Sequence, residues 1–365
     1  MLTSRQIADC MVDARGHSGQ STGRVVSEIQ FAVVGCGRIG QRHAELIRSM
    51  ATLAAVCDVK RQRADQLSAN YGCHAYSAID DLLANETTID VVSVCTPNGL
   101  HAEHTIRSLR SGKHVLCEKP MALHVRDCRR MIEESERSGK KLFVVKQNRF
   151  NPPIAALKKA VEEGRLGRIV SVQLNCFWNR TDAYYKESDW KGTADLDGGT
   201  LYTQFSHFVD LLIWMVGDIG DVHVITKNFL HQSTVDFEDT GVIALEFVNG
   251  ALGTINYTVN SYRKNMEGSI TLFGEKGTVK IGGQYLNALE YQCIDGYEIT
   301  NVAVSAPAND YGFYQGSMSN HDKVYQNVID VLTNNSAIAT SGLEGLKTVE
   351  VIERIYSQAN IGPRA

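Results

Sequence analysis

From Ile29 onward, apolar runs and amphipathic stretches alternate with a regular beat. Phe31–Val34 is a continuous apolar run that stops at a glycine, the pattern of a strand buried on both faces. Arg42–Met50 has helical spacing, Leu53–Cys57 is a second strand ending at Asp58, and Lys60–Ala69 is helical. Val91–Cys95 is a third strand, closed by Thr96-Pro97-Asn98. A helix over His101–Ser111 stops at Gly112, and a fourth strand runs over His114–Cys117. A helix over Arg126–Ser138 stops at Gly139, and Leu142–Val145 is a fifth strand. Strand, helix and strand repeating at this length predict right-handed crossovers and a parallel sheet covered on both sides.

After about Phe150 the rhythm changes. Pro152–Glu163 is a short helix, Ile169–Trp178 alternates with period two, and a long helix is predicted over Gly199–Val216. Strand-like runs follow at Val222–Ile225, Val242–Phe247, Leu252–Val259, Ser269–Phe273 and Thr278–Ile281, separated by short Gly or Asn turns. This predicts a mostly antiparallel sheet, which can leave one face open for a ligand or a second subunit. Two helices close the chain near Asp322–Leu332 and Gly345–Gln358. The expected division is a loose N-terminal extension or over-long start at 1–28, a nucleotide-binding domain at 29–149, and a substrate-binding and oligomerisation domain at 150–365.

Composition narrows the field. The 365 residues carry 37 Lys and Arg against 41 Asp and Glu, a formal charge of −4, so nucleic-acid binding has no electrostatic support. No stretch approaches the roughly 18–20 apolar residues of a membrane helix. The nine cysteines are odd in number and form no CxxC, and Cys57, Cys95 and Cys117 sit in or beside apolar strand-like runs. They read as small buried hydrophobes of a reduced, cytoplasmic protein, and nothing in their spacing with histidine predicts a metal site.

Gly35-Cys36-Gly37-Arg38-Ile39-Gly40 leaves the first strand and opens a helix. In that context the motif is a dinucleotide cradle: Gly35 permits the turn, Gly37 lets the backbone approach a pyrophosphate, and Gly40 allows close helix–strand packing. Arg38 and Ile39 lie within it, and the helix amides meet the anion. Asp58, about twenty residues on, suits the ribose hydroxyls and repels a 2′-phosphate, so NAD is favoured over NADP, although Lys60 and Arg61 are nearby cations. Strand carboxyl ends face the ligand, which brings Thr96 and Asn98 to the cofactor. His101 reads as a helix-start residue packing near it rather than as a catalyst.

Glu118-Lys119-Pro120 follows the fourth strand. Proline keeps Lys119 out of the helical region and can be cis. A lysine at this strand end can bond a reacting hydroxyl and stabilise a developing alkoxide. On a continuous helix Thr203, His207 and Asp210 would share a face. His207 is the group there that exchanges protons near neutral pH, and Asp210 either orients it or is simply solvated.

The combination of GxGxxG, EKP and the GGxLxxxxxHxxD helix resembles the Gfo/Idh/MocA oxidoreductases over about residues 29–360. The resemblance implies an N-terminal Rossmann domain, a doubly wound parallel sheet, joined to a C-terminal α/β domain with an open, mostly antiparallel sheet. It implies Lys119 as the catalytic lysine, with Glu118 beside it at the cofactor, and His207 as the general base. Many polyol-oxidising members carry an aspartate four residues before that histidine, where this chain has Thr203. The stretch Phe177–Gly192, with Leu346–Glu350 and Ile355-Tyr356, resembles the branch that oxidises UDP-N-acetyl-hexosaminuronates at the sugar 3-hydroxyl.

In that stretch Tyr184, Tyr185 and Trp190 offer flat faces to a sugar or uracil, and Arg180 and Lys186 offer charge to a carboxylate or diphosphate. The alternative is a structured loop or a subunit contact. Arg149 either binds an anionic substrate or braces the domains. The expected protein is an NAD-dependent dehydrogenase of a sugar or nucleotide sugar, assembled as a homodimer or homotetramer. The rivals are another pyranoside or cyclitol dehydrogenase of the same fold and a dinucleotide-binding regulator without turnover.

Overall fold

The computed structural model describes residues 28–304, 308–310 and 315–359. The expectation for the N-terminal extension lies, apart from Glu28, outside them. The first sheet is built from β1 (Gln30–Val34), β2 (Thr52–Cys57), β3 (His74–Tyr76), β4 (Val91–Val94), β5 (His114–Cys117) and β6 (Leu142–Val144). Its order is β3-β2-β1-β4-β5-β6, and every pairing is parallel. The crossovers carry α1 (Arg38–Met50), α2 (Arg61–Tyr71), α3 (Ile79–Asn85), α4 (His101–Arg110) and α5 (Val125–Ser138). Side-chain alternation sends Ala32 and Val34 to one core and Phe31 and Val33 to another, so a continuous apolar run is what this strand needs. The strand order reverses between β1 and β4, and in open α/β sheets the ligand crevice lies at the strand carboxyl ends of such a point. The unforeseen β3 and α3 are short: a three-residue edge strand with no fully buried position leaves too little alternation to read.

The second half begins with α6 (Pro152–Glu162), β7 (Ile169–Phe177), α7 (Asp182–Lys186), α8 (Thr200–Thr203) and α9 (Ser206–Val216). Then come β8 (Ile219–Lys227), β9 (Thr240–Phe247), β10 (Leu252–Thr258), β11 (Glu267–Gly274), β12 (Gly277–Gly282) and β13 (Ala288–Ile294). The sheet order is β13-β12-β11-β7-β10-β9-β8. Only the β7–β10 pairing is parallel. Helix α9 packs on the inner face, while Ile225, Val242 and Leu252 stand exposed on the outer one. Two short strands, β14 (Ala308–Asp310) and β15 (Gln315–Met318), pair beyond this sheet.

Two features depart from the expected architecture. The single helix over 199–216 is broken: Phe205 leaves helical geometry between α8 and α9, and its ring packs against Trp178, Phe208 and Tyr257. The closing helices α10 (His321–Asn334) and α11 (Gly342–Ala359) return to the first sheet. Val324, Tyr325 and Val328 of α10 join the core of Phe31 and Ile47, and α11 lies against α5 and β6. The chain therefore crosses between its halves twice.

Candidate active site

The crevice has the features of a dinucleotide cradle. Gly35 has φ +97°, and a Cβ there would stand 2.5 Å from the Cys95 carbonyl oxygen. A Cβ on Gly40 would meet the Gly35 carbonyl at 1.8 Å, so the helix presses directly on the turn. At Gly37 a Cβ would meet nothing within 4 Å: this glycine faces open space. The first turn of α1 has no side-chain cap, which leaves its amides for an anion. Asp58 closes the loop from β2: one carboxylate oxygen accepts the Cys36 N–H at 2.8 Å and the other accepts the Lys60 N–H at 2.8 Å. Open space before Gly37, uncapped amides and an acid at the end of β2 fit NAD.

The other cofactor-side residues divide. Arg38 pairs with Glu187, and Ile39 packs on the core behind the cradle. The Thr96 hydroxyl bonds His104 at 3.0 Å. Asn98 crosses to the second half, where its Nδ2 donates to the Asp197 carbonyl at 2.8 Å and to the Thr203 hydroxyl at 2.7 Å. His101 is buried between the carbonyls of Pro120 and Thr96, at 2.7 and 2.8 Å, a brace between two strand ends.

The Lys119–Pro120 peptide is cis. Lys119 Nζ donates to the Thr203 carbonyl at 2.8 Å, leaving two of its three donor directions uncommitted by that bond. Loss of hydration lowers its pKa, against the pull of Glu118 and Asp197. Glu118 lies behind it, accepting the Lys119 backbone N–H at 3.0 Å and a His43 ring nitrogen at 2.9 Å. Burial pushes Glu118 up, but His321 and His43 hold it well below the usual carboxylate range. His43 also bonds the Tyr325 hydroxyl at 2.7 Å.

His207 is buried, and neither ring nitrogen has a hydrogen-bond partner. Burial, then the charges of Lys119 and Lys146, depress its pKa well below the ordinary value, so the ring is neutral and basic nitrogen is available. Asp210 does not orient it. The break between α8 and α9 takes Thr203 off the face that His207 and Asp210 still share, and Asp210 is held by Arg149 at 2.8 and 2.7 Å and by Lys146 at 3.3 Å. The carboxylate near Thr203 comes from elsewhere: Asp197 accepts the Thr203 hydroxyl and the Gly192 N–H at 2.7 Å. Burial raises the Asp197 pKa to about 6.

The substrate-side residues need correction. Arg149 is the domain brace: it is buried, held by Asp210 and Glu344, and stacked 5.0 Å from the Trp214 ring. It is not placed to meet a substrate anion. Tyr185 is no open platform; it packs with Tyr184, Val235 and Phe237 in a small core and against His231. Arg180 is buried too, bonding Gln204 at 2.7 Å and lying over Trp178 and Tyr184, yet near enough to Lys119 to act on its charge. Trp190 is half-buried in the same loop. Asp197, Lys146, His43 and His321 went unnoticed in the sequence, because isolated polar residues without periodic spacing give no signal until folding brings them together.

One support lies beneath the site. Glu238 is fully buried, and one carboxyl oxygen accepts the Tyr257 hydroxyl at 2.9 Å and the Tyr356 hydroxyl at 2.8 Å. The other oxygen has no partner. Tyr356 in turn accepts the Leu201 N–H at 2.8 Å, and the Glu238 carbonyl accepts the Thr200 hydroxyl at 2.5 Å. Helix α8, which presents the Thr203 carbonyl to Lys119, therefore sits on this carboxyl. Burial raises its pKa to about 8.

The chain is similar to known proteins over most of its length. Residues 29–146 match the GFO_IDH_MocA model described as an oxidoreductase family, NAD-binding Rossmann fold, and residues 158–363 match its C-terminal alpha/beta domain. The chain is 35% identical to the WlbA dehydrogenase of Chromobacterium violaceum, solved with NADH and UDP-GlcNAcA. The TM-score is 0.84, covering 93% of this chain and 96% of that one. The WlbA dehydrogenase of Bordetella pertussis, solved with the same two ligands, is 36% identical with a TM-score of 0.81, covering 93% and 100%. The inositol 2-dehydrogenase of Rhizobium meliloti is 27% identical over 340 residues, 89% of this chain and 95% of that protein.

Proposed function

Because the chain belongs to the GFO_IDH_MocA oxidoreductase family and is an NAD-dependent sugar or cyclitol dehydrogenase, we propose that its substrate is a UDP-linked N-acetyl amino sugar or its uronate, oxidised at the 3-hydroxyl. The observation that carries the chemistry is the convergence of His207 and Lys119. A neutral histidine with both nitrogens unsatisfied is buried within the field of an ammonium whose remaining donors are free of the Thr203 carbonyl.

In this reading His207 takes the hydroxyl proton and Lys119 donates to the same oxygen, opposing the negative charge that develops on it. NAD, when bound, supplies the hydride acceptor. Gly35, Gly37, Gly40 and Asp58 would hold it, with Thr96 and Asn98 at the strand ends beside the crevice. Glu118 sets the backbone of Lys119 from behind. The Asp197–Thr203–Asn98 bonds fix the carbonyl on which Lys119 rests.

The substrate class draws support from two sources. The UDP-GlcNAcA-bound relatives are more alike in sequence, at 35–36%, than the Rhizobium inositol dehydrogenase at 27%. The aspartate expected of polyol enzymes is replaced by Thr203 with Asp197 behind it. The test is nicotinamide absorbance on mixing protein and NAD with UDP-hexosaminuronates, UDP-hexosamines, free sugars and inositols. Turnover of UDP compounds alone supports the proposal; inositol turnover without them refutes it. The same reading includes a homodimer or homotetramer joined through the open sheet face around Ile225, Val242 and Leu252, which light scattering checks.

A further inference from the structure

Three cations follow Asp58 along the start of α2: Lys60, Arg61 and Arg63. By charge alone they form a ready site for the 2′-phosphate that distinguishes NADP from NAD. Lys60 is tied to Asp58, since its N–H donates to the Asp58 carboxylate at 2.8 Å. Yet the structure commits two of these cations to carboxylates. Arg61 Nε donates to Asp65 at 2.7 Å, one helical turn away on the same helix. Lys60 Nζ donates at 3.0 Å to Asp189, which lies 129 residues on, in the loop of the other half of the molecule.

That pairing is not isolated. Two residues earlier in the same loop, Glu187 pairs with Arg38 at the first position of α1. One short segment thus brings two carboxylates to two cations on opposite sides of the cradle, beside the uncapped helix amides and beside the ribose-binding acid. Lys60, with Arg63 acting at longer range, holds the Asp189 carboxyl below its ordinary range, so Asp189 is ionised at working pH.

We propose that Asp189 is a cofactor-specificity residue: by occupying Lys60, it withholds the cation that would otherwise meet the 2′-phosphate of NADP. This deepens the NAD-dependent reading, and it places part of the discrimination in the sugar-binding half of the chain. Asp58 alone repels a phosphate; Asp58 with Asp189 also removes the cation that would compensate. Lys60 and Asp189 are both largely exposed, at 48% and 72%, so the single pair is modest in strength and the effect is one of partner choice.

The test is equilibrium binding of NADH and NADPH, without sugar, to the wild-type protein and to Asp189→Asn, Lys60→Ala and the double variant. Calorimetry or nicotinamide fluorescence gives the readout. Asp189→Asn is expected to tighten NADPH binding about fivefold, the scale of an exposed charge pair, and to move NADH binding less than about twofold. In the double variant the gain disappears, because no freed cation remains. Unchanged NADPH affinity in Asp189→Asn, or a gain that survives loss of Lys60, overturns the proposal. Failure of the wild type to bind NADH would instead count against the dinucleotide reading itself, so the two failures are distinct. Retained NADH affinity in Asp189→Asn shows that the variant is folded.

Discussion

Replacing Glu238 with glutamine should make the protein more resistant to unfolding at alkaline pH and change it little in mild acid. The folded protein holds this carboxyl protonated up to about pH 8, because burial outweighs the hydroxyls of Tyr356 and Tyr257 that favour the anion. In the unfolded chain it ionises near its ordinary 4.5. Between those two values the folded state binds one more proton than the unfolded state, so stability falls as pH rises. Each pH unit in that window costs about 1.4 kcal/mol, which sums to roughly 5 kcal/mol by pH 8.

Glutamine has the same shape and cannot ionise. Its carbonyl can accept both tyrosine hydroxyls, and its amide takes the place of the carboxyl oxygen that has no partner. The assay is urea unfolding of both proteins at pH 5.5 and pH 8.5, at one fixed protein concentration. The advantage of Glu238→Gln over wild type should grow by about 3 kcal/mol between the two, with the urea slope unchanged. An advantage equal at both pH values would mean that Glu238 is already ionised in the folded protein, and the argument from burial would be refuted.

Further expectations concern the site and its frame. Lys119→Met and His207→Ala should each lower kcat by about 10²–10⁴-fold while NADH still binds, as a fluorescence titration would show. Gly35→Ala should fail to give folded protein, since its Cβ falls 2.5 Å from a carbonyl oxygen. Gly37→Ala should fold and lose dinucleotide affinity, seen by circular dichroism and calorimetry together. Asp197→Asn should remove any limb near pH 6 from the kcat/KM profile, because the carboxyl that titrates there is gone. Asp210→Asn should cost about 3–5 kcal/mol in urea unfolding by leaving Arg149 and Lys146 buried without their shared anion.

Local pattern was enough to determine the parallel sheet, the glycine cradle, Asp58 and the Lys119 turn. Each is written in a few consecutive residues: an apolar run buried on both faces, glycines where a side chain has no room, and a strand end that must face the crevice. The mostly antiparallel second sheet was legible for the same reason, through period-two alternation and Gly or Asn turns. His207 was legible by position, yet its neighbours were not. Asp210 sits three residues away on the same helix and serves Arg149, because folding brings that buried guanidinium, 61 residues distant in sequence, against its carboxylate. The short β3 and α3 carried too few buried positions to register.

Only the tertiary structure decided what the charged and aromatic residues do. Arg149 and Tyr185 had the chemistry of ligand contacts and became a domain brace and a piece of core, since burial committed their surfaces to Asp210, Glu344 and the Tyr184 cluster. Asp197, six residues from Thr203, came to accept its hydroxyl. Lys60 met Asp189 across 129 residues, and α10 and α11 returned to the first sheet. A strand's burial pattern reports its own environment residue by residue. A hydrogen bond or ion pair depends on where a second, distant segment of chain comes to rest, and nothing in the local sequence carries that distance.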